Sequence, residues 1–178
     1  MEWLFALLVL IVFTNRYVYG SLLRLADRRT EADHNVDPPH WPTVSIVVPV
    51  YCEGSSVLKT ADSFAAIDYP RDKLNVVFID DVSTDDTYEY LQQACRQHPW
   101  MQLIQNEHNM GKRLGIKNAV QHLDSDLIMS VDSDVIVESN VVRELVRHMH
   151  TTGSDAVGGC VFVSNAKDTW LTRMQAVK

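Results

Sequence analysis

The sequence predicts an α/β fold, in which a mostly parallel β-sheet carries helices on its faces and follows an apolar N-terminal helix. From residue 44 onward, apolar runs of strand length alternate with longer amphipathic segments. This alternation is typical of βαβ units. The runs are also too uniformly apolar for strands with one face in water, as expected when helices cover both faces of a parallel sheet.

Five strands and four helices are expected in this region. The strands are VSIVVPV (44–50), LNVVFID (74–80), MQLIQ (101–105), DLIMSV (126–131) and AVGGCVFV (156–163). The helices are Ser55 to Ala66, Thr84 to Gln97, Gly111 to Leu123 and Ser139 to Met149. Sheets of this kind bind ligands at the carboxyl ends of their strands.

The first 20 residues differ in character from the rest. Residues 3–13 are unbroken apolar sequence, and a helix from Trp3 to Gly20 would be about 27 Å long, close to the roughly 30 Å of a hydrocarbon core. We therefore expect a membrane helix or anchor at residues 1–20, with a signal peptide and a buried helix as alternatives. Glu2 weakens the first alternative, because signal peptides begin with basic residues. Tyr17 and Tyr19 weaken the second, because they resemble an interfacial belt.

The basic residues around this segment predict its orientation. Four arginines follow the apolar stretch, whereas only an acidic residue precedes it: Arg16, Arg24, Arg28 and Arg29 against Glu2. The positive-inside rule then places the rest of the chain in the cytoplasm, on a plasma or inner membrane. A polar linker with three prolines is expected at residues 21–43, and the α/β domain at residues 44–178.

Composition narrows the class of protein. The 178 residues are 46% hydrophobic and 22% charged, enough for about one domain with a core. The net charge of −7 and the lack of a Lys/Arg block argue against a nucleic-acid partner. Cys52, Cys95 and Cys160 have no metal-binding or disulfide spacing and are expected to be reduced thiols.

Polar side chains collect where the predicted strands end. Because parallel strands end at one edge of their sheet, these side chains are expected on one rim, where they could hold a phosphate-bearing ligand and a metal. They are Pro49, Tyr51 and Glu53 after the first strand, Asp80 and Asp81 after the second, Lys112 and Arg113 after the third, and Asp132 and Asp134 after the fourth.

The triplet Asp132-Ser133-Asp134 is the candidate metal site. In an extended segment residues i and i+2 point to the same side, so both carboxylates would face one place. Carboxylates this close repel each other unless a cation joins them. Mg²⁺ or Mn²⁺ suits such oxygen ligands and leaves coordination positions for phosphate. The alternative is that Asp132 caps a turn and Asp134 is solvated.

The other rim residues have similar pairs of interpretations. Tyr51 could stack a nucleobase or be an ordinary loop aromatic, and Glu53 could bind a ligand amide or ribose hydroxyl or cap the following helix. Asp80 and Asp81 could accept hydrogen bonds from a pyrimidine or ribose, or simply end a strand. Lys112 lies at a predicted helix start, where a phosphate is favoured. Walker and dinucleotide-binding glycine motifs are missing from the sequence.

Four sequence blocks also carry a family resemblance: VSIVVPVYCEG, VVFIDDVSTDDT, NMGKRLGIKNAV and LIMSVDSDVIVESNVVRELV. In this order they resemble the family 2 inverting glycosyltransferases with a GT-A fold, and most of all the processive membrane enzymes such as hyaluronan synthase, NodC-type chitooligosaccharide synthase and chitin synthase. The resemblance covers about residues 44–178. Cys52 stands where the family usually has Asn and Val82 where it usually has Gly, and Val82 implies a tighter constraint because a β-branched residue disfavours positive φ.

The resemblance implies an activity and roles for the rim residues. The donor would be a UDP-sugar carrying a hexose or N-acetylhexosamine, the acceptor a growing polysaccharide or oligosaccharide, and the cofactor Mg²⁺ or Mn²⁺. Each predicted site residue then has a place: Pro49, Tyr51 and Glu53 line the nucleotide pocket, Asp81 with Asp80 contacts uridine, Lys112 lies near the diphosphate, Asp132 faces the ribose and metal, and Asp134 ligates the metal.

Other parts of the family pattern are not found before Lys178. These are the acidic motif of the general base, a Q-x-x-R-W motif and later membrane helices, so no catalytic base is assigned and the chain is expected to be a fragment that transfers little sugar. Two other functions stay open. One is a nucleotidyltransferase-like enzyme, although PVYCEGSS lacks the expected glycine-rich basic loop. The other is a non-catalytic, membrane-anchored nucleotide-binding module.

Overall fold

A computed structural model of the chain describes residues 36–161 continuously. It also describes nine helical residues of the N-terminal segment: Trp3, Leu7, Leu10, Ile11, Phe13, Thr14, Tyr17, Val18 and Tyr19. Contacts divide the chain into two units, Met1–Val36 and Asp37–Lys178. Within the described part of the chain, no helix has both the length and the apolar character that crossing a membrane requires. The predicted anchor lies partly outside the described residues, as does most of the predicted linker.

Four strands form one parallel sheet: β1 (Val44–Val50), β2 (Leu74–Asp80), β3 (Met101–Gln105) and β4 (Leu127–Ser130). Their order is β3-β2-β1-β4. β1 pairs with β2 along its whole length, but with β4 only from Val44 to Val47. The predicted parallel sheet is confirmed, and the bounds of the first three strands match the prediction.

Four helices and one short 3₁₀ turn connect these strands: α1 (Ser56–Ala65), α2 (Thr87–Gln97), α3 (Lys112–Val120), α4 (Val141–Thr152) and the turn Arg71–Lys73. All four helices were predicted, with differences at their ends. α2 starts three residues later than predicted, since Asp85 accepts a hydrogen bond from the Thr87 backbone N–H at 3.1 Å and so stabilises an irregular start. α4 ends at Thr152, three residues later than predicted, and Gly153 after it has a φ of 64°, the left-handed conformation that glycine favours at a helix end.

The sheet has a core on each face, because successive side chains of a strand point to opposite sides. One face packs on α1, α2 and α4, with Phe64, Leu91 and Val142 fully buried against β1 and β2. The other face packs on α3, through Val47, Val77, Ile79 and Ala119. The expectation of uniformly buried strands was wrong for the two edge strands, β3 and β4, where exposed positions alternate or end the strand.

The predicted fifth strand is wrong where the structure describes it. Residues 156–161 form no strand and are mostly exposed, and residues 162 and 163 lie outside the described residues. Gly158 and Gly159 have no other atoms near the position of a Cβ. Glycines inside a strand weaken it. A strand also needs a neighbouring strand to accept and donate its backbone hydrogen bonds, and an apolar sequence pattern does not show whether one is present.

Residues 37–43, the end of the predicted linker, pack against the sheet domain. The ring of Trp41 lies edge-on to Tyr69, with centroids 5.5 Å apart, and the Arg143 guanidinium of α4 lies 4.8 Å from the Trp41 centroid. The Tyr69 hydroxyl donates to the Pro42 carbonyl at 2.7 Å. Burial raises the pKa of Tyr69 to about 12, so this hydroxyl remains a donor at neutral pH.

Candidate functional site

The predicted site residues follow the carboxyl ends of the four strands, in four loops. We name these loop 1 (residues 51–55), loop 2 (81–86), loop 3 (106–111) and loop 4 (131–140). Pro49 precedes loop 1 inside β1, a central strand. Its position is tolerated because Val47 accepts the Val131 backbone N–H at 3.1 Å, so that side of β1 faces β4, and β4 pairing stops at Val47. The missing N–H of Pro49 thus leaves no ladder bond unmade.

Hydrogen bonds join loop 1 to loop 2 and to the start of α2. The Cys52 backbone N–H donates to Ser83 Oγ at 3.0 Å, and the Gly54 backbone N–H donates to Thr87 Oγ1 at 2.7 Å, at the start of α2. Tyr51 lies beside these contacts with 50% of its surface exposed. An exposed ring held by a fixed loop suits stacking on a flat ligand.

Loops 2 and 3 are joined by the Asp81 carboxylate. Asp81 is only 7% exposed and accepts from the Asn106 side-chain amide at 2.8 Å and from the backbone N–H groups of Met110 and Gly111 at 2.9 and 2.7 Å. Burial opposes its ionisation, but these three hydrogen bonds outweigh burial, so the pKa of Asp81 lies below its ordinary value. Asp81 therefore stays charged and fixes the backbone just before Lys112.

Asp80 has no exposed surface. Its carboxylate accepts from the Gln105 side-chain amide at 2.9 Å and, at 3.3 Å, from the Ser83 backbone N–H. Both of these contacts are internal to the protein, and the second stabilises loop 2. The predicted contact between Asp80 and a nucleotide stays a prediction.

Loops 3 and 4 are joined by an ion pair between Lys112 Nζ and Asp132 Oδ1. Both side chains are half-exposed, at 55% and 56%. Lys112 is the first residue of α3, which packs on β1 and β2, and Asp132 follows β4, the neighbour of β1. The pair therefore lies at the carboxyl ends of the strands, where a ligand of this rim would bind.

Loops 4 and 1 are joined by Ser133, which completes a ring of contacts around the rim. Ser133 Oγ donates to Glu53 Oε1 at 2.9 Å. Glu53 does not cap α1 with its side chain, since Ser55 is the residue before that helix and no side-chain cap bond is made. The interpretation of Glu53 as a helix cap is therefore wrong. Its side chain instead makes a contact between loops 1 and 4.

The Asp132-Ser133-Asp134 segment is a turn rather than the predicted extension of β4. β4 ends at Ser130, and the Val135 backbone N–H donates to the Asp132 carbonyl at 3.2 Å. Both carboxylates are nevertheless exposed, while Ser133 between them is buried. The described residues contain no group of three or more His, Cys, Asp or Glu side chains that could hold a metal ion. Two exposed carboxylates still fit a hard divalent ion, because Mg²⁺ usually binds only one or two protein carboxylates and takes its other oxygen ligands from water and phosphate.

The two residues that depart from the family resemblance share a backbone feature. Cys52 has a φ of 53° and Val82 a φ of 62°, and among the described residues no other non-glycine has a positive φ. The replaced family residues, Asn and Gly, are the two that adopt this left-handed conformation most readily. Loops 1 and 2 therefore require this conformation whichever residue occupies it.

Several contributors to this site were not expected from the sequence. Ser133, Asn106 and Thr60 hold the loops but carry no motif of their own, and Thr60 belongs to the amphipathic helix α1. One feature of the sequence could have indicated such contacts. Thr60 and Ser63 are polar residues at positions that the helical pattern places on the buried face of α1. A buried hydroxyl requires a partner, which pointed to a contact without identifying it.

Together, the parallel sheet, the flanking helices and the acidic and basic residues at the strand ends define an α/β domain of the type that binds charged ligands at the carboxyl ends of its strands. Residues 45–177 match the family model Glycosyl transferase family 2. The chain belongs to this family.

Proteins similar to this chain include N-acetylglucosaminyltransferases of several organisms. An N-acetylglucosaminyltransferase of Rhizobium sp. (strain N33) is 35% identical over 136 residues, which are 75% of this chain and 30% of that protein. An N-acetylglucosaminyltransferase of Bradyrhizobium elkanii is 33% identical over 134 residues, or 74% of this chain and 73% of that protein. The chain spans about a third of the length of the first of these relatives.

Solved structures confirm the fold class. The mannosyltransferase PcManGT of Pyrobaculum calidifontis, in complex with GDP-Man and Mn²⁺, superimposes with a TM-score of 0.68 at 27% identity, covering 86% of this chain and 46% of its own. S. aureus TarS 1-349 in complex with UDP-GlcNAc gives a TM-score of 0.58 at 24% identity, covering 71% of this chain and 38% of its own. At 24% identity, the similarity to TarS shows a shared fold and nothing more.

Proposed function

We propose that residues 44–178 form the donor-binding domain of a family 2 glycosyltransferase, which binds a UDP-sugar at the four-loop rim. Transfer of the sugar to an acceptor hydroxyl would then invert the anomeric carbon. The observation that carries the proposal is the contact between Lys112 and Asp132, because it brings a cation and a predicted metal ligand together above the strand ends. A diphosphate and a divalent ion need this pair of charges.

The residues of the rim have separate tasks in this proposal. The exposed ring of Tyr51 stacks on the uracil. Asp81 holds loop 3 with three hydrogen bonds and, since a carboxylate has about four acceptor positions, keeps one for the uridine. Lys112 turns from Asp132 to a phosphate oxygen when the donor binds, which leaves the Asp132 carboxylate available. The start of α3, which no side chain caps, adds the positive end of the helix dipole near the same phosphates.

Asp132 and Asp134 are the residues that would hold Mg²⁺ or Mn²⁺. When bound, the ion supplies positive charge that neutralises the diphosphate leaving group. Mn²⁺ is present in the PcManGT complex, which supports this cofactor for the present chain. The Lys112 ammonium, which contacts Asp132, contributes charge of the same sign.

The names of the relatives favour N-acetylglucosamine as the transferred sugar. We therefore propose UDP-N-acetylglucosamine as the donor, and a chitin-like oligosaccharide or polysaccharide, or one of the hyaluronan type, as the acceptor and product. The catalytic base is not assigned to any residue of this chain.

The N-terminal segment is proposed to anchor this domain to a membrane, with the domain on the cytoplasmic side. Support comes from the apolar run at residues 3–13 and the arginines that follow it. Vesicle flotation of the full chain tests the proposal. The double variant Leu7→Arg with Ile11→Arg should stay at the bottom of the gradient while the parent floats, because each arginine costs about 2.5–3.5 kcal/mol in the membrane. Equal flotation would contradict the anchor.

Calorimetry of UDP binding tests the donor site. The full chain should bind UDP more tightly with Mn²⁺ than without it, and Asp134→Ala should remove most of that gain. Asp62→Ala, which removes the same charge from an exposed position of α1, is the matched control and should bind like the parent. A gain that survives Asp134→Ala unchanged would refute the assignment, and tighter binding of GDP than UDP would refute the choice of nucleotide.

A further inference from the structure

Loop 4 is fastened to the body of the domain by residues that are not themselves predicted metal ligands. Ser133 Oγ donates to Glu53 Oε1 at 2.9 Å, and the Ser133 carbonyl accepts from Thr60 Oγ1 of α1 at 2.7 Å. Ser63 Oγ donates to the Thr60 carbonyl at 2.7 Å and accepts from the Val137 backbone N–H at 3.3 Å. Since the Val131 backbone N–H also donates to the Val47 carbonyl at 3.1 Å, the turn that carries the two carboxylates is attached at both of its ends and at its centre.

The attachment at the centre determines where the carboxylates point. Ser133 is 7% exposed, whereas Asp132 and Asp134 on either side are exposed. In a tight turn, turning the middle side chain inward directs its neighbours outward. The hydroxyl of Ser133 has a charged acceptor in Glu53, and such hydrogen bonds are stronger than those between neutral groups. Without this bond the turn would be free to rotate, and the side chains of Asp132 and Asp134 would no longer be held in their present orientations.

Glu53 lies in loop 1, two residues after Tyr51, the residue proposed to contact the uracil. A single hydrogen bond therefore joins the loop of the nucleotide base to the turn of the metal, across 80 residues of sequence. If the two ligands are bound by parts that move together, each raises the affinity for the other by the same factor.

We propose that Glu53 and Ser133 are positioning residues that couple nucleotide binding to metal binding, rather than groups that contact the donor. The inference rests on the proposed function, since it assigns UDP to the rim and Mn²⁺ to the turn. It also gives Glu53 a role other than the one that the family resemblance implies.

The test measures UDP affinity of the full chain with and without Mn²⁺. Ser133→Ala and Glu53→Ala should each reduce the Mn²⁺-dependent gain in UDP affinity by about tenfold, the effect of one charge-assisted hydrogen bond, while UDP affinity without metal changes by less than about twofold. Glu53→Gln should keep most of the gain, because the amide oxygen still accepts from the serine hydroxyl. Ser139→Ala, an exposed serine of the same loop, is the control.

A double variant distinguishes coupling from general damage. Glu53→Ala with Ser133→Ala should lose no more than either single variant, because one bond can be lost only once. The inference would be overturned if the double variant lost the sum of the two single losses, or if both single variants kept the whole Mn²⁺-dependent gain in UDP affinity. Either result would leave the proposed function intact. A parent chain whose UDP affinity does not respond to Mn²⁺ would instead overturn the proposed function and the inference with it.

Discussion

Replacing Val82 should reverse the usual order of stability between glycine and alanine. With a φ of 62°, Val82 occupies the left-handed region, which costs a residue with a Cβ about 1–2 kcal/mol. Glycine has no such cost. Val82 follows Asp81 in loop 2 and is only partly buried, so the contacts of its side chain contribute less than those of a core residue.

The expected magnitude follows from two opposing contributions. Val82→Ala and Val82→Gly lose nearly the same side-chain contacts, so these cancel in the comparison between the variants. Glycine removes about 1–2 kcal/mol of left-handed strain but costs about 0.4–1 kcal/mol through its freedom in the unfolded chain. The glycine variant should therefore unfold with a free energy about 0.8 kcal/mol higher than that of the alanine variant, which is the difference between the midpoints of the two ranges.

Urea unfolding followed by circular dichroism measures this difference. The control is Val137, a partly buried valine of loop 4 that is not among the positive-φ residues, where alanine should be the more stable variant by about 0.5–1 kcal/mol. If alanine is also the more stable variant at position 82, by a margin like that at 137, then loop 2 does not require a left-handed residue there, and the physical account of the family's glycine is refuted.

Three further outcomes are expected. Cys52→Asn should raise the midpoint of urea unfolding, because asparagine tolerates the φ of 53° better than cysteine; a lower midpoint contradicts this. The pKa of Asp81 is lowered in the folded state, so its contribution is present above the unfolded pKa of about 3.9 and is lost as the pH falls through the folded pKa. Urea midpoints between pH 7 and 3 should therefore fall more steeply for the parent than for Asp81→Asn, and parallel curves would show that Asp81 is not the cause. Lys112→Met should change the unfolding free energy by less than about 1 kcal/mol, since its ion pair is half-exposed, yet weaken UDP binding in calorimetry; unchanged binding would remove Lys112 from the site.

Much of the sheet could be predicted because its signals are local. An apolar run bounded by polar residues identifies a strand without reference to the rest of the chain, and the predicted bounds of β1, β2 and β3 agree with the structure. The positions of Asp81, Lys112 and Asp132 at one rim followed from the same pattern, because parallel strands end at one edge.

The errors have a common cause. Residues 156–161 have the composition of a strand, but a strand also needs a neighbour to pair with, and composition does not provide one. The same limit applies to Asp80 and Glu53, because their sequence positions do not show that their carboxylates accept hydrogen bonds from Gln105 and Ser133. A single residue's chemistry does not reveal which partner the fold brings to it.

The sequence by itself determined the alternation of strands and helices, the family and the set of charged residues at the rim, since periodicity and motif order are properties of the chain. Only the tertiary structure decided how these residues act together. The ring of contacts around the rim depends on pairs such as Glu53 with Ser133, 80 positions apart, and Lys112 with Asp132, 20 positions apart. Such pairs form because the sheet order β3-β2-β1-β4 brings distant strand ends together.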